Sequence, residues 1–160
     1  MPDLHPDVAC LAPLLGVWAG QGDGVYPTIA PFGYLEEVTF THVGKPFLRY
    51  AQKTKASDDG RPLLHAETGY LRVPSEARVE LILAHPTGVT EIEEGTVSVH
   101  GTAIDMELAA TAIGRSASAK EVTALGRFIR VDGDELTYTL YMGAVGEPLQ
   151  PHLTATLRRT

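Results

Sequence analysis

The sequence predicts an all-β fold, a single closed antiparallel barrel of about ten strands with a short N-terminal helix. Apolar and polar residues alternate with period two over most of the chain. Turn signals separate the alternating segments about every 8–12 residues, which is typical of an antiparallel meander. About ten strands in one unit are too many for a comfortable open sheet, so closure into a barrel is favoured. A barrel of that size encloses space for a ligand.

The chain begins with a segment that predicts the short helix. Residues 6–15 precede the first strand, and Leu11, Leu14 and Leu15 would form the buried face of a helix there. Such a helix would cover one end of the barrel.

The first strand, residues 16–26, carries an unusual row of glycines. Side chains alternate between the two faces of a strand, so its even positions form one row: Gly16, Trp18, Gly20, Gly22, Gly24 and Tyr26. Interior glycines weaken a strand by roughly 0.5–1 kcal/mol each relative to alanine. We therefore expect another strand or a flat ligand to approach this row closely, although glycines that only let the sheet curl remain an alternative. Pro27 then ends the strand, because it cannot donate a backbone hydrogen bond.

The remaining strands follow from alternation and turn residues. Apolar faces recur at Val79, Leu81 and Leu83 and along 136–142. Further strands are predicted at 32–42, 47–56, 63–73, 88–95, 96–100, 103–112, 121–131 and 152–159. Turn signals lie at Asp58-Asp59-Gly60, Pro86-Thr87-Gly88, His100-Gly101 and Asp132-Gly133-Asp134. Residues 118–121 resemble a helix-capping box, but the β-branched residues that follow favour a loop leading into a strand.

Composition predicts one domain over residues 1–160 and limits its partners. Apolar residues make up 44% of the chain, and the formal net charge is −7. That charge disfavours nucleic acid and anionic membranes as partners. Cys10 is the only cysteine, which is consistent with a reducing compartment. With no secretion signal and no apolar run long enough for a bilayer, the sequence predicts a cytoplasmic protein.

Six histidines are the main candidates for chemistry, and none of their spacings indicates a chelating metal motif. His152 lies on the predicted last strand beside the alternating apolar residues Leu153, Ala155 and Leu157. If His152 points into the barrel, strict alternation would turn those apolar residues outward. The pattern alone therefore leaves the direction of His152 open.

The run at 16–29 matches the signature of the nitrobindin family, GxWxGxGxGxYPTI, at every fixed position. The chain resembles that family further at 36–37 (EE), 42–46 (HVGKP), 65–70 (HAETGY), 120–121 (KE) and 150–153 (QPHL). The resemblance covers nearly the whole chain, and it implies a barrel of the lipocalin and fatty-acid-binding-protein type.

The resemblance also implies a cofactor and an activity. It assigns His152 as the proximal ligand of one heme b per chain, with His65 or Leu64 near the open coordination side. Thr28 and His42 would belong to the pocket, and Lys120 could contact a heme propionate. The implied activity is that of a ferric heme enzyme, which isomerises peroxynitrite to nitrate and binds nitric oxide.

Other functions stay open at this point. The same barrel could carry or sense heme or nitric oxide without turnover. A lipid-binding barrel would need an inward arginine to meet a carboxylate, and Arg49, Arg127 and Arg130 are candidates. A structural domain without any ligand is the third alternative. The sequence does not fix the oligomeric state, and a homodimer is one arrangement that it allows.

Overall fold

The computed structural model describes residues 1–57 and 62–160, so the predicted turn at Asp58-Asp59-Gly60 lies outside the described residues. A 3-10 helix over Pro6–Leu14 precedes the strands. The strands are β1 (Gly16–Tyr26), β2 (Ile29–Thr41), β3 (Leu48–Ala56), β4 (Leu63–Arg72), β5 (Arg78–Ala84), β6 (Val89–His100), β7 (Ala103–Arg115), β8 (Val122–Asp132), β9 (Glu135–Ala144) and β10 (Gln150–Arg159). None of the helices in the described ranges is both long and apolar enough to cross a membrane.

The strands form one closed barrel in the order β1-β10-β9-β8-β7-β6-β5-β4-β3-β2, with every neighbouring pair antiparallel. Closure is made by β1, whose Gly20 lies opposite Glu36 of β2 on one side and Leu157 of β10 on the other. The predicted all-β barrel is confirmed, as is the loop at 118–121 that leads into β8.

One strand prediction was wrong, because 88–95 and 96–100 form the single strand β6. Gly95 continues the ladder and pairs with Val79 and Leu108. A Cβ atom on Gly95 would lie 1.8 Å from the backbone oxygen of Glu107. The glycine therefore marks a close approach of β7, and no chain reversal occurs there.

The glycine row of β1 is covered closely, as predicted. A Cβ atom on Gly22 would lie 2.3 Å from Cζ of Tyr34, and one on Gly24 would lie 2.2 Å from Cζ of Phe32. At Gly20 the nearest atom would be the backbone oxygen of Thr156 on β10, at 2.2 Å. Aromatic side chains of β2 and the backbone of β10 thus occupy the space that side chains on β1 would need.

The 3-10 helix closes one end of the barrel. Its buried residues are Val8, Leu11 and Leu14, whereas Leu15 is only partly buried. This corrects the expected face, because three residues per turn align positions 8, 11 and 14. Trp18 is fully buried beneath the helix and donates from Nε1 to the Leu14 oxygen at 2.7 Å.

Candidate functional site

A cavity of about 650 Å³ opens at the end of the barrel opposite the helix. Its volume lies within the range of roughly 300–1,000 Å³ that is usual for small-molecule sites. The wall includes the predicted inner face of β9, and Leu136, Tyr138, Leu140 and Met142 all line it. The cavity also reaches polar residues in the middle of the barrel.

His152 lines this cavity because β10 contains a bulge. Pro151 lies opposite Tyr141 of β9 and Leu153 lies opposite Leu140, so His152 is the extra residue between them. A bulge interrupts strict alternation and redirects a side chain. His152 and Leu153 therefore both face the cavity, and Ala155 and Leu157 remain buried. This irregularity removes the conflict that the sequence pattern raised.

A hydrogen bond fixes the tautomer of His152. Its Nδ1 lies 2.9 Å from the backbone oxygen of Val25. A carbonyl oxygen can only accept, so Nδ1 carries a proton, and in the neutral imidazole the lone pair is therefore on Nε2. The ring of Tyr26 packs edge-on at 5.2 Å between centroids. The Tyr26 hydroxyl in turn accepts a hydrogen bond from the Ala144 amide at 2.8 Å. The imidazole is thus oriented, with Nε2 directed away from this hydrogen bond as the nitrogen that can bind a metal.

The structure brings some of the other predicted site residues to the cavity. Thr28 and Lys120 are exposed residues that line its mouth. His65 lines the wall formed by β4, on the far side of the barrel from β10.

Two predicted site residues lie outside the cavity lining. Leu64 is 47% exposed on the outer face of β4, since neighbouring residues on a strand face opposite sides. His42 follows β2 at the helix-covered end, where Phe40 pairs with Gly16, and its Nδ1 accepts from the Gly44 amide at 3.3 Å.

A buried charge cluster lies deeper in the barrel and centres on Arg127 of β8. Its guanidinium donates to Glu67 at 2.9 Å and to Glu91 and Glu93 at 2.5 Å each. Burial opposes the ionisation of Glu67, but the neighbouring Arg127 outweighs it and holds the pKa of Glu67 below its usual value. The same balance lowers the pKa of Glu91. Burial prevails at Glu93, whose pKa is raised to about 7. The arginine is therefore already paired with carboxylates.

A second polar group lies beside this cluster and centres on Glu36. Glu36 Oε2 accepts from the Tyr138 hydroxyl at 2.6 Å and from Gln52 Nε2 at 2.8 Å. The hydroxyls of Tyr138 and Tyr34 lie 2.8 Å apart. Burial raises the pKa of Glu36 to about 7, against the opposing effect of these hydrogen bonds.

Sequence reasoning missed most of these buried polar residues. Of the three arginines considered, only Arg127 points inward; Arg49 is exposed, and Arg130 pairs with Asp105 at 2.9 Å. A signal was present in β6, where Glu91 and Glu93 share the strand face of Val89. This pattern alone does not show that Glu91 and Glu93 are buried. It indicates a buried polar site only once their partner, Arg127, is known.

Fold and site together define a ligand-binding β-barrel with an oriented interior histidine. Residues 7–159 match the family model described as the THAP4-like, heme-binding β-barrel domain. The chain belongs to this family. The fit to a heme is supported by the size of the cavity and by the free Nε2 of His152, a nitrogen donor of the kind that holds heme iron.

Relatives and solved structures agree with this family. The chain is 67% identical to "Peroxynitrite isomerase 1" of Mycolicibacterium paratuberculosis, over 98% of this chain and 97% of that protein. It is 69% identical to "Peroxynitrite isomerase 2" of Mycobacterium marinum, with the same coverage. The crystal structure of Rv2717c from M. tuberculosis matches with a TM-score of 0.96 and 60% identity over 99% of both chains.

A more distant solved structure shares only the fold. The S-type phycobiliprotein lyase CPES from Guillardia theta matches with a TM-score of 0.65 and 11% identity, over 92% of this chain and 89% of that one.

Proposed function

We propose that this protein is a heme-dependent enzyme that isomerises peroxynitrite to nitrate, with His152 as the proximal ligand of one heme b per chain. The observation that carries the proposal is the His152 imidazole, which lines a cavity of about 650 Å³ while its Nδ1 is held by the Val25 oxygen, so that Nε2 is the nitrogen left for a metal. The names of relatives that are 61–69% identical support the reaction. When bound, the heme supplies an iron centre at which the O–O bond of peroxynitrite is broken and oxygen is returned to nitrogen.

The protein's own residues position the cofactor. The Val25 oxygen keeps the proton on Nδ1 of His152, and this hydrogen bond increases the basicity of Nε2. Tyr26 limits rotation of the ring by edge-on packing. At the mouth, the charge of Lys120 and the hydroxyl of Thr28 suit the carboxylates of a heme.

Small ligands would use the side of the heme that His152 leaves open. Nitric oxide binding belongs to this proposal, because it needs the same open coordination position. His65 on the opposite wall is the residue predicted to lie near that position. A cytoplasmic location and the absence of nucleic-acid partners remain predictions from composition.

The structure disfavours the lipid-carrier alternative. A fatty acid would need a cationic group in the barrel for its carboxylate. The inward arginine, Arg127, is already bound by Glu67, Glu91 and Glu93. A further carboxylate there would be repelled by the surrounding acidic side chains.

The test compares wild type with His152→Ala in hemin titration and in peroxynitrite decay. We expect a Soret band that saturates at one hemin per chain, together with faster decay and a higher nitrate yield than the hemin-free protein gives. His152→Ala should weaken hemin binding and abolish the rate enhancement. His100→Ala is the matched control, because His100 is exposed and lies outside the cavity lining.

Two results would contradict the proposal in different ways. An unchanged Soret band and hemin affinity in His152→Ala would remove His152 as the ligand. Hemin binding through His152 without any acceleration of peroxynitrite decay would leave a carrier or sensor in place of an enzyme.

A further inference from the structure

A second group of metal-binding side chains lies on the wall across the barrel from His152. It consists of His65 and Glu67 on β4 and His85, which directly follows β5. One ligand atom from each residue lies within 4.8 Å of the other two. We propose that these three residues bind a divalent transition-metal ion of the zinc class, on the wall of the same cavity that lies across from His152. Zinc binding by these residues does not require heme and does not rest on the proposed isomerase activity.

The distances suit direct coordination. His65 Nε2 lies 3.0 Å from His85 Nδ1, and Glu67 Oε2 lies 3.7 Å from the first nitrogen and 3.3 Å from the second. Zinc binds imidazole nitrogen and carboxylate oxygen at about 2.0–2.2 Å, so ligand atoms around one ion are separated by roughly 3–3.6 Å. Little movement is needed to admit an ion between the three atoms.

The backbone sets this arrangement. His65 and Glu67 are two residues apart on one strand and therefore face the same side. Thr68 pairs with Ala84 across β4 and β5, so the next residue, His85, is level with Glu67. His85 donates its backbone amide to the Val89 oxygen at 2.9 Å, which fixes the turn that carries the ring.

Neighbouring groups orient two of the ligands from outside. Glu67 Oε1 accepts from Arg127 at 2.9 Å and from the Tyr50 hydroxyl at 2.6 Å, which leaves Oε2 directed at the histidines. His85 Nε2 is buried without a hydrogen bond among the described residues and lies 3.4 Å from Glu91 Oε1. With a metal on Nδ1, Nε2 would carry the proton and face that carboxylate. A carboxylate behind a ligating histidine is the usual support of a zinc site.

The charge of the barrel interior also favours a cation. Among the described residues, four acidic side chains, Glu36, Glu67, Glu91 and Glu93, are buried there with one arginine, Arg127. The pKa values of Glu67 and Glu91 are lowered, so these two carboxylates alone outnumber the arginine. Buried charges need partners or metals. A divalent ion beside Glu67 would offset part of the excess negative charge.

Zinc titration of the chain of 160 residues tests the site. Calorimetry measures the binding, and elemental analysis after dialysis measures the zinc that the protein retains. We expect one Zn²⁺ per chain, and Co²⁺ should give visible d–d bands at the same stoichiometry. His65→Gln and His85→Gln should each weaken binding by at least about 100-fold, and Glu91→Gln by about 10–100-fold, as expected when a supporting carboxylate is lost. His65 is partly exposed, so His65→Gln should fold even if His85→Gln does not.

Two control variants separate this site from the rest of the protein. His100→Gln changes an exposed histidine outside the cluster and should leave zinc binding unchanged. His152→Ala should keep zinc binding while it loses hemin, so the two proposals fail independently. The proposal is overturned if no saturable zinc binding occurs, or if His65→Gln binds zinc as tightly as His100→Gln. In either case the two histidines form only a hydrogen-bonded pair.

Discussion

The two ends of the barrel differ in the chemistry of their interiors. At the helix-covered end, Leu11, Leu14 and Trp18 are fully buried and form a continuous apolar core. Arg159 holds the helix in place, with its guanidinium 4.2 Å from the centre of the Trp18 ring and a hydrogen bond to the Pro13 oxygen at 2.8 Å. Toward the open end, largely apolar walls surround a cavity that is also lined by the buried carboxylate of Glu67 and by three histidines, His65, His85 and His152.

This contrast separates what stabilises the fold from what binds a ligand. Burial of apolar side chains contributes roughly 25 cal/mol per Å², so the covered end supplies stability. The interior toward the mouth instead contains polar atoms without hydrogen-bond partners among the described residues: Glu36 Oε1, Gln52 Oε1, His85 Nε2, Glu91 Oε2 and Glu93 Oε1. Such atoms cost about 1–3 kcal/mol each. Two of these residues, Gln52 and His85, line the cavity, where a ligand can approach them.

Trp18→Ala tests this separation and should have the largest effect. The side chain is fully buried and its hydrogen bond to Leu14 would be lost, so we expect the free energy of unfolding to fall by about 4–5 kcal/mol. Urea unfolding measures this loss. Phe128→Ala on the exposed outer face should cost about 1 kcal/mol or less.

The hemin affinity of Trp18→Ala tests whether the two ends are independent. Under conditions where this variant is still folded, its affinity for hemin should equal that of wild type. A parallel drop in hemin affinity would show that the two ends act as one unit and would contradict the division proposed above.

Arg127→Met tests the polar interior and should reduce the free energy of unfolding slightly less than Trp18→Ala does. Removing the guanidinium leaves Glu67, Glu91 and Glu93 buried without a cationic partner, and we expect a loss of about 3–4 kcal/mol in urea unfolding. Arg130→Met is the matched control, because Arg130 is partly exposed in its pair with Asp105, and it should change stability by less than about 1 kcal/mol.

A combined variant identifies the cause of that loss. Arg127→Met with Glu91→Gln and Glu93→Gln removes two of the uncompensated charges and should recover much of the stability. If Arg127→Met alone is as stable as wild type, the cluster is not the charge-paired unit that its geometry indicates.

The sequence predicts some strands well and others poorly, and β5 and β6 show why. In β5 the apolar row Val79, Leu81 and Leu83 is buried, as alternation predicts. In β6 the pattern is inverted, with Glu91 buried and Ile92 39% exposed. Alternation divides β6 into two faces but does not show which of them is inside. Glu91 can lie on the inner face because it pairs with Arg127 of β8. Such a pairing between distant strands has no local signature in the sequence.

At the candidate site, too, contacts between strands could not be predicted from local sequence. Of the six site residues predicted from the sequence, His152, Thr28, Lys120 and His65 line the cavity, whereas Leu64 and His42 do not. The bulge that turns His152 inward could not be read from alternation, because it arises from the register between β9 and β10. The cluster of His65, Glu67 and His85 was missed because its third member follows a different strand.

Glu36→Gln tests the polar interior through pH and should have the smallest effect. Burial raises the pKa of Glu36 in the folded protein to about 7, above its ordinary value of 4.5. The folded state therefore holds a proton between these values that the unfolded state has released. Stability consequently falls as pH rises through that window, and Glu36 accounts for about 2–3 kcal/mol of the fall.

The neutral amide of glutamine imitates the protonated carboxyl group and cannot ionise. Urea unfolding at pH 5 and pH 8 should show a smaller fall in Glu36→Gln than in wild type, and the remainder belongs to Glu93, whose pKa is also raised to about 7. Glu37→Gln is the control, because Glu37 lies on the outer face in a pair with Lys53. Equal falls in wild type and Glu36→Gln would mean that Glu36 is already ionised at pH 5. In that case the interior near the mouth would tolerate one more negative charge than its burial implies, and a compensating cation would have to be sought beside it.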